Sequence, residues 1–238
     1  MAEPLPRVAA LRYRKIGPLT EEDWLTTTAV PTETFERQMA RVHRSDWKPV
    51  DAKTFAMGLR EPEDLPDRTL LITFDGAYAH LVERAVPVLR RYRFPAVAFV
   101  ATDRVGERFT YDPDADTPEP LCGWEDLRAL ESADVSVQSF GCTHQPLTGL
   151  SPSELEAEVA ESKATIERRL GSRVWLFAYP QGDPGADPDA TAKVLRLAGY
   201  RAALGTSGGV LEAPLEDPFR IGRITIGQST DVLAELDG

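Results

Sequence analysis

The sequence predicts an α/β fold, organised as one barrel-like domain with about seven parallel strands. Short apolar runs alternate with amphipathic stretches along the chain, and this pattern is typical of βαβ units that share a parallel sheet. Several runs are apolar without interruption, as expected for strands covered on both faces. The length of 238 residues suits one α/β barrel of roughly 200–250 residues. We therefore interpret residues 1–238 as a single domain.

The individual elements are predicted from the same patterns. Candidate strands span residues 8–13, 69–74, 95–101, 135–139, 174–179, 201–204 and 221–226. Apolar spacing predicts helices around residues 35–42, 82–92 and 189–198, and most clearly over 151–170. In that last helix Ser151 can form the N-cap, Glu154 can complete a capping box and Gly171 can end the helix. The stretch 106–123 is rich in Pro and Asp, and it is predicted to be a long surface loop that borders a site.

Composition excludes several classes of partner. Acidic residues outnumber basic ones 38 to 27, which gives a net charge of −11 and disfavours nucleic acids and anionic membranes. No apolar run reaches the roughly 18 residues of a membrane span. The first residues do not have the pattern of a secretory signal, so a cytoplasmic location is the default prediction. Cys122 and Cys142 could form one bridge, but we interpret them as two separate buried thiols.

Polar residues follow three of the predicted strands, where α/β folds place their sites. Asp75 is a candidate base or metal ligand, and it could equally be a helix N-cap. His144 is a candidate ligand or catalytic group, with a surface or loosely packed histidine as the alternative. The segment 177–183 runs into a turn whose N–H groups could hold an oxyanion, or it is only a turn.

Two further patterns are weaker. Asp112, Asp114 and Asp116 resemble the start of a calcium loop, but Thr117 and Gly123 stand where that loop needs Gly and Glu. We therefore interpret the run as a solvated loop. Cys142 and His144 could both bind a metal, but two ligands do not make a site.

In order and spacing, these motifs resemble the polysaccharide deacetylase family, also called the NodB-homology domain or carbohydrate esterase family four. The resemblance covers nearly the whole chain. Residues 11–17 (LRYRKIG) are similar to the L-x-Y-H-x-I-G opening of one branch of the family. Residues 73–78 parallel the motif T-F-D-D-G-Y, residues 139–147 parallel S-H-x-x-x-H-P-x-L, and residues 177–182 parallel F-A-Y-P-Y-G. Arg223 and Ile224 match the end of the family pattern.

The resemblance implies a distorted (β/α) barrel that hydrolyses an N-acetyl group on a glycan with the help of zinc or another divalent metal. In the family one Asp acts as the base, and the next Asp and two His hold the metal. A backbone N–H of the third motif, which corresponds to residues 177–182 of this chain, stabilises the oxyanion. A further His acts as the acid. Family members are often extracytoplasmic.

Carried onto this sequence, the family pattern is incomplete. Asp75 takes the base position, but the metal-binding Asp is replaced by Gly76 and the first metal-binding His by Phe140. The second metal-binding His is kept as His144, and Gln181 replaces the Tyr of the oxyanion hole. No histidine follows residue 144, so the acid His is missing as well.

These departures predict a deacetylase-like protein without a metal cofactor and without metal-dependent activity, because catalytic zinc normally needs three protein ligands. The predicted role is to bind a carbohydrate, such as an N-acetylated glycan, or an unknown protein partner. The predicted cleft residues are Tyr13, Arg14, Gly76, Tyr78, Phe140, Tyr179, Gln181 and Arg223.

The alternative is an active carbohydrate deacetylase or amide hydrolase. It would use either Asp75 and His144 as an acid–base pair or a relocated metal site. The relocated ligands would come from Cys142, His80 or the carboxylates of residues 112–119.

Overall fold

The computed structural model describes residues 5–17, 29–111 and 118–238. Its strands are β1 (Arg7–Tyr13), β2 (Lys15–Ile16), β3 (Ala29–Val30), β4 (Lys48–Pro49), β5 (Arg68–Asp75), β6 (Ala96–Val100), β7 (Arg108–Phe109), β8 (Glu119–Pro120), β9 (Val135–Ser139), β10 (Leu176–Ala178), β11 (Ala202–Leu204), β12 (Leu211–Glu212) and β13 (Ile224–Thr225). Its helices are α1 (Thr32–His43), α2 (Ala52–Gly58), α3 (His80–Arg84), α4 (Val86–Tyr92), α5 (Trp124–Glu131), α6 (Pro152–Leu170), α7 (Pro188–Leu197) and α8 (Val232–Asp237).

A curled parallel sheet forms the centre of the fold. Its strands lie in the order β11-β10-β9-β6-β5-β1, and β13 adds a seventh parallel strand beside β1. A parallel bridge between Leu204 and Ile221 links β11 to the segment that leads into β13. The two edges of the sheet therefore meet, and the predicted (β/α) barrel is confirmed.

Side chains alternate between the two faces of each strand, and each face has its own apolar cluster. On β5, Ile72 and Phe74 belong to the outer cluster between the sheet and the helices. Leu71 belongs to the inner cluster, which also includes Phe55 of α2. By this alternation Asp75, at the end of β5, points to the interior of the barrel.

Helix α6 has the ends that the sequence predicts. The Ser151 side chain accepts a hydrogen bond from the Glu154 amide, the Glu154 carboxylate accepts one from the Ser151 amide, and Gly171 ends the helix at a φ of 75°. With 19 residues, α6 has about the length of a membrane span. Neither it nor any other helix in the described ranges is apolar enough to cross a membrane.

The prediction of a structureless loop over residues 106–123 is wrong in part. Strands β7 and β8 form a short antiparallel hairpin there, with Arg108 paired to Pro120, and Leu121 bridges to Tyr78. Strands of two residues are too short to leave a periodic pattern. The acidic run that resembled a calcium loop falls at 112–117, outside the described residues.

Cys122 and Cys142 are both free and buried, which confirms the interpretation of two separate thiols. Burial raises the pKa of Cys122 to about 12 and that of Cys142 to about 11. Both groups therefore stay protonated at neutral pH, so neither is an activated nucleophile.

Candidate functional site

The carboxyl ends of three strands of the parallel sheet carry unusual backbone conformations. Ala77, His144 and Gln181 have φ values of 44°, 66° and 56°, and they follow β5, β9 and β10. Non-glycine residues in such regions cost about 1–3 kcal/mol each and cluster at functional sites. This edge of the barrel is therefore the candidate site, and it is where the sequence places Asp75 and His144.

Asp75 is buried between two arginines. Nη1 of Arg223 donates to Oδ1 of Asp75 at 2.6 Å, and Nη2 of Arg223 donates to Oδ2 at 3.1 Å. Nε of Arg12 also donates to Oδ2, at 2.6 Å. Arg223 is fully buried and donates further to the Gly205 carbonyl and the Thr73 hydroxyl. Both oxygens of Asp75 are thus held by guanidinium groups.

These contacts decide the charge of Asp75. Burial alone would raise its pKa, but the charges and hydrogen bonds of Arg223 and Arg12 outweigh burial and lower the pKa to about 2. Asp75 is therefore ionised at neutral pH and is a very weak base. The alternative role as a helix N-cap is wrong, because α3 begins at His80, after Ala79, with no side-chain cap.

His144 is buried among aromatic rings and is not a surface histidine. Its ring centroid lies 4.6 Å from that of Tyr111 and 4.3 Å from that of Phe140, with both contacts edge-on. Burial lowers the pKa of His144 to about 4. The charges of nearby arginines also lower this pKa, whereas the charge of Asp75 raises it. The imidazole is neutral at pH 7. Within the described residues, no hydrogen bond joins it to Asp75.

Tyr111 fills the space beside Gly76. A Cβ built on Gly76 would lie 2.5 Å from two carbons of the Tyr111 ring, and the φ of Gly76 is 89°. The Tyr111 ring also stacks on Phe140 at a centroid distance of 5.8 Å and meets Tyr78 edge-on at 6.0 Å. An aromatic cluster therefore occupies the volume into which a side chain at position 76 would project.

The fold places one of the other predicted cleft residues, Tyr13, outside the cleft. Tyr13 lies on the outer face of β1, where it packs against Phe35 and Phe74 and its hydroxyl donates to Gln38. This residue does not line the cleft, because on β1 it alternates with Arg12, which does reach Asp75. The sequence analysis missed Arg12 as a site residue. A charged residue between apolar neighbours in a predicted strand was the signal that could have identified it.

Arg14, Tyr179 and Gln181 lie closer to the site. The charge of Arg14 acts on His144. Gln181 is exposed in the turn Pro180–Gly182. The Tyr179 hydroxyl donates to the carbonyl of Phe219, and the Tyr179 side chain borders a cavity.

This cavity of about 220 Å³ lies beside the third motif. It opens next to the carboxyl ends of β10 and β11, and Gly222, the neighbour of Arg223, is part of its wall. Its lining is largely apolar and includes Tyr179, Pro184, Pro188, Ser207, Phe219 and Ile221. Such a surface can accept the apolar face of a small ring.

The described residues do not fit a zinc site. Gly76 and Phe140 offer no ligand atom, whereas His144 offers an imidazole nitrogen. Among described residues, no three His, Cys, Asp or Glu side chains lie close enough together to hold a metal ion. His80 instead faces Glu119 at 3.3 Å, and the Cys142 thiol contacts the Glu158 carbonyl at 3.5 Å. Structural and catalytic zinc sites need three or four protein ligands.

The barrel and its motif-bearing strand ends define a (β/α)-barrel protein with its site at the carboxyl edge. The family model for polysaccharide deacetylases matches residues 63–203. The chain belongs to the polysaccharide deacetylase family.

Two relatives have related sequences. YxkH of Bacillus subtilis, a predicted polysaccharide deacetylase, is 24% identical over 180 residues, which cover 76% of this chain and 60% of YxkH. The poly-beta-1,6-N-acetyl-D-glucosamine N-deacetylase of Staphylococcus aureus is 30% identical over 165 residues, covering 65% of this chain and 54% of the relative. The chain thus matches a little over half the length of each.

Solved structures agree on the fold. The Streptococcus pyogenes deacetylase PplD, in complex with acetate, superposes with a TM-score of 0.84 at 18% identity, over 98% of this chain and 100% of the other. IcaB from Ammonifex degensii gives a TM-score of 0.78 at 20% identity, over 96% and 94% of the two chains. At these identities the likeness concerns the fold alone.

Proposed function

We propose that residues 1–238 act as one deacetylase-like domain that binds an N-acetylated glycan and does not hydrolyse it through a metal. The observation that carries this proposal is the Tyr111 ring, 2.5 Å from where a Cβ of residue 76 would lie. An Asp side chain at position 76 could not enter this space. With Phe140 stacked on the same ring, two of the three ligand positions are closed by aromatic packing.

Chemistry supports the loss of hydrolysis. A metal in such a site would lower the pKa of its bound water from about 15.7 to about 7. The remaining groups cannot replace this effect. Asp75, with a pKa of about 2, is too weak a base to activate water, and both of its oxygens already accept hydrogen bonds from arginine.

The acid–base pair of Asp75 and His144 has less support. An acid–base pair needs one partner that holds an acidic proton near the working pH. The pKa values of about 2 for Asp75 and about 4 for His144 leave an ionised carboxylate and a neutral imidazole at pH 7. Neither group is then poised to donate a proton.

Three observations support a glycan as the ligand. The relative from Staphylococcus aureus is named for a polymer of N-acetyl-D-glucosamine. The cavity of about 220 Å³ beside the third motif has apolar walls against which the C–H face of a sugar can pack. Phe109, half-buried beside Tyr111, adds an aromatic ring near the site.

The experiment combines acetate release with calorimetric binding. The substrates are β-1,6-linked and β-1,4-linked oligosaccharides of N-acetylglucosamine, tested on the intact chain after chelator treatment and again with added zinc. We expect binding of at least one oligosaccharide and no acetate release in either condition. Zinc-dependent acetate release would contradict the loss of hydrolysis, and no binding to any oligosaccharide would contradict the glycan ligand.

A pair of variants locates the binding site. Ser207→Phe should fill the cavity beside the third motif and weaken glycan binding. Ser229→Phe is the matched control, because Ser229 is also exposed and does not line that cavity. Equal affinities of the two variants would place the glycan elsewhere.

A further inference from the structure

A second cavity, of about 170 Å³, lies at the opposite end of the barrel. One wall comes from α2, which precedes β5, and another from the end of α7 and the residues just before β11. Asp75 and His144, by contrast, follow their strands. The two cavities have Phe219 in common in their walls, but this one lies apart from Asp75 and His144, and an inference about it does not rest on the proposed function.

Three arginines surround this cavity: Arg60, Arg196 and Arg201. All three are exposed. Within the described ranges, none of their guanidinium groups forms a hydrogen bond or an ion pair, and Arg196 makes a cation–π contact with Phe219 at 5.0 Å. Glu61 is the one acidic residue in the lining, so three positive charges face one negative charge. The surplus stands out on a chain whose net charge is −11.

The floor of the cavity is apolar. Met57 lines it and is 37% exposed, which makes it a large hydrophobic residue at the surface. Tyr200 and Phe219, both buried, also line the cavity. Methionine adapts its shape to different apolar partners, so the floor can receive one apolar side chain.

We propose that this cavity docks a short acidic segment of a partner protein, with one apolar side chain in the cavity and flanking carboxylates on Arg60, Arg196 and Arg201. The planar guanidinium groups match carboxylates in two-pronged geometry. The volume of about 170 Å³ suits one side chain. A long polyanion is disfavoured, because the charges that extend beyond the arginines would be repelled by a chain whose net charge is −11.

The test measures binding of the intact chain to a fluorescein-labelled short peptide that has one Phe between Glu residues. We expect saturable binding that weakens as salt is raised, because exposed charge pairs are screened. The variant with Arg60→Gln, Arg196→Gln and Arg201→Gln should bind at least about tenfold more weakly, as the loss of three exposed pairs implies. The control variant Arg44→Gln, Arg84→Gln and Arg90→Gln changes charge equally at exposed residues outside the cavity and should bind like the parent.

Two altered peptides test the two halves of the interaction. A peptide with Gln in place of Glu should lose binding, and so should a peptide with Ala in place of Phe. Thermal unfolding of each variant verifies that it is folded. The proposal is overturned by the absence of peptide binding up to about 1 mM, by equal affinities of the two triple variants, or by a sulfated oligosaccharide that binds at the cavity more tightly than the peptide.

Discussion

The Asp75 carboxylate forms a largely buried cluster of ion pairs with Arg12 and Arg223. Arg223 is fully buried and Asp75 is 1% exposed, so water contributes little to their solvation. A buried ion pair adds little over an apolar equivalent, but removing one partner leaves an uncompensated charge and is costly. Asp75 ends β5, Arg12 lies in β1 and Arg223 directly precedes β13. The Asp75 carboxylate therefore links these three strands.

Asp75→Asn should lower the free energy of unfolding by about 3–5 kcal/mol, because Arg223 would lose its buried counter-charge. Chemical denaturation measures this change. Asp64→Asn is the matched control, because Asp64 is exposed and its substitution should change stability by no more than about 0.5 kcal/mol. Similar stabilities of the two variants would show that the cluster does not anchor the strands.

His144 predicts a dependence of stability on pH. Its pKa is lowered from 6.5 to about 4 by burial, so the unfolded chain takes up a proton at higher pH than the folded chain does. Above pH 6.5 this difference does not affect stability. As the pH falls from 6.5 to 4, the free energy of unfolding decreases, and the loss reaches about 3 kcal/mol.

His144→Gln should remove this part of the loss. The measurement is the free energy of unfolding of both proteins at steps from pH 7 to pH 4. The parent should lose more stability over this window than the variant does. Asp75 is present in both proteins, and most of its contribution, which comes from a pKa lowered from 3.8 to about 2, is lost below pH 4. Parallel curves for parent and variant would contradict the burial of a neutral imidazole.

At the scale of elements, the β7–β8 hairpin region carries Tyr111 into the site. Gly76→Asp should destabilise the chain for two reasons: contact with the Tyr111 ring, and the φ of 89° at Gly76. The left-handed conformation costs roughly 1–2 kcal/mol for a residue with a side chain. Tyr111→Ala removes the contact but not the backbone strain.

A double-mutant cycle separates these two costs. We expect the combined variant Gly76→Asp, Tyr111→Ala to be more stable than the sum of the two single losses implies. The unfolding free energies of four proteins give the coupling. Additive losses would mean that Tyr111 does not occupy the space beside residue 76.

The elements also show what the sequence could predict. Continuous apolar runs located the strands of the parallel sheet, and the caps at Ser151 and Gly171 located α6. Helix α2 was missed, because seven residues without a clear apolar stripe leave little periodicity. The hairpin was missed because its position depends on pairing between short segments, which local sequence does not encode.

At the scale of the whole molecule, the barrel has two different ends. The carboxyl edge carries the family motifs, which the sequence placed correctly at the ends of β5, β9 and β10. The identity of Gly76 and Phe140 predicts that ligands are missing, but it does not predict that the Tyr111 ring fills the space beside Gly76. Nor could the sequence reveal that Arg60, Arg196 and Arg201 converge on one cavity, because they are brought together only when the barrel closes.

Zinc titration of the chelator-treated chain, followed by calorimetry and by metal analysis after gel filtration, measures whether the carboxyl edge of the barrel holds a metal ion. Because His144 has no second or third ligand beside it among the described residues, we expect no zinc retained in proportion to protein and no saturable heat of binding. One zinc ion per chain, retained through gel filtration and lost in His144→Gln, would contradict this expectation.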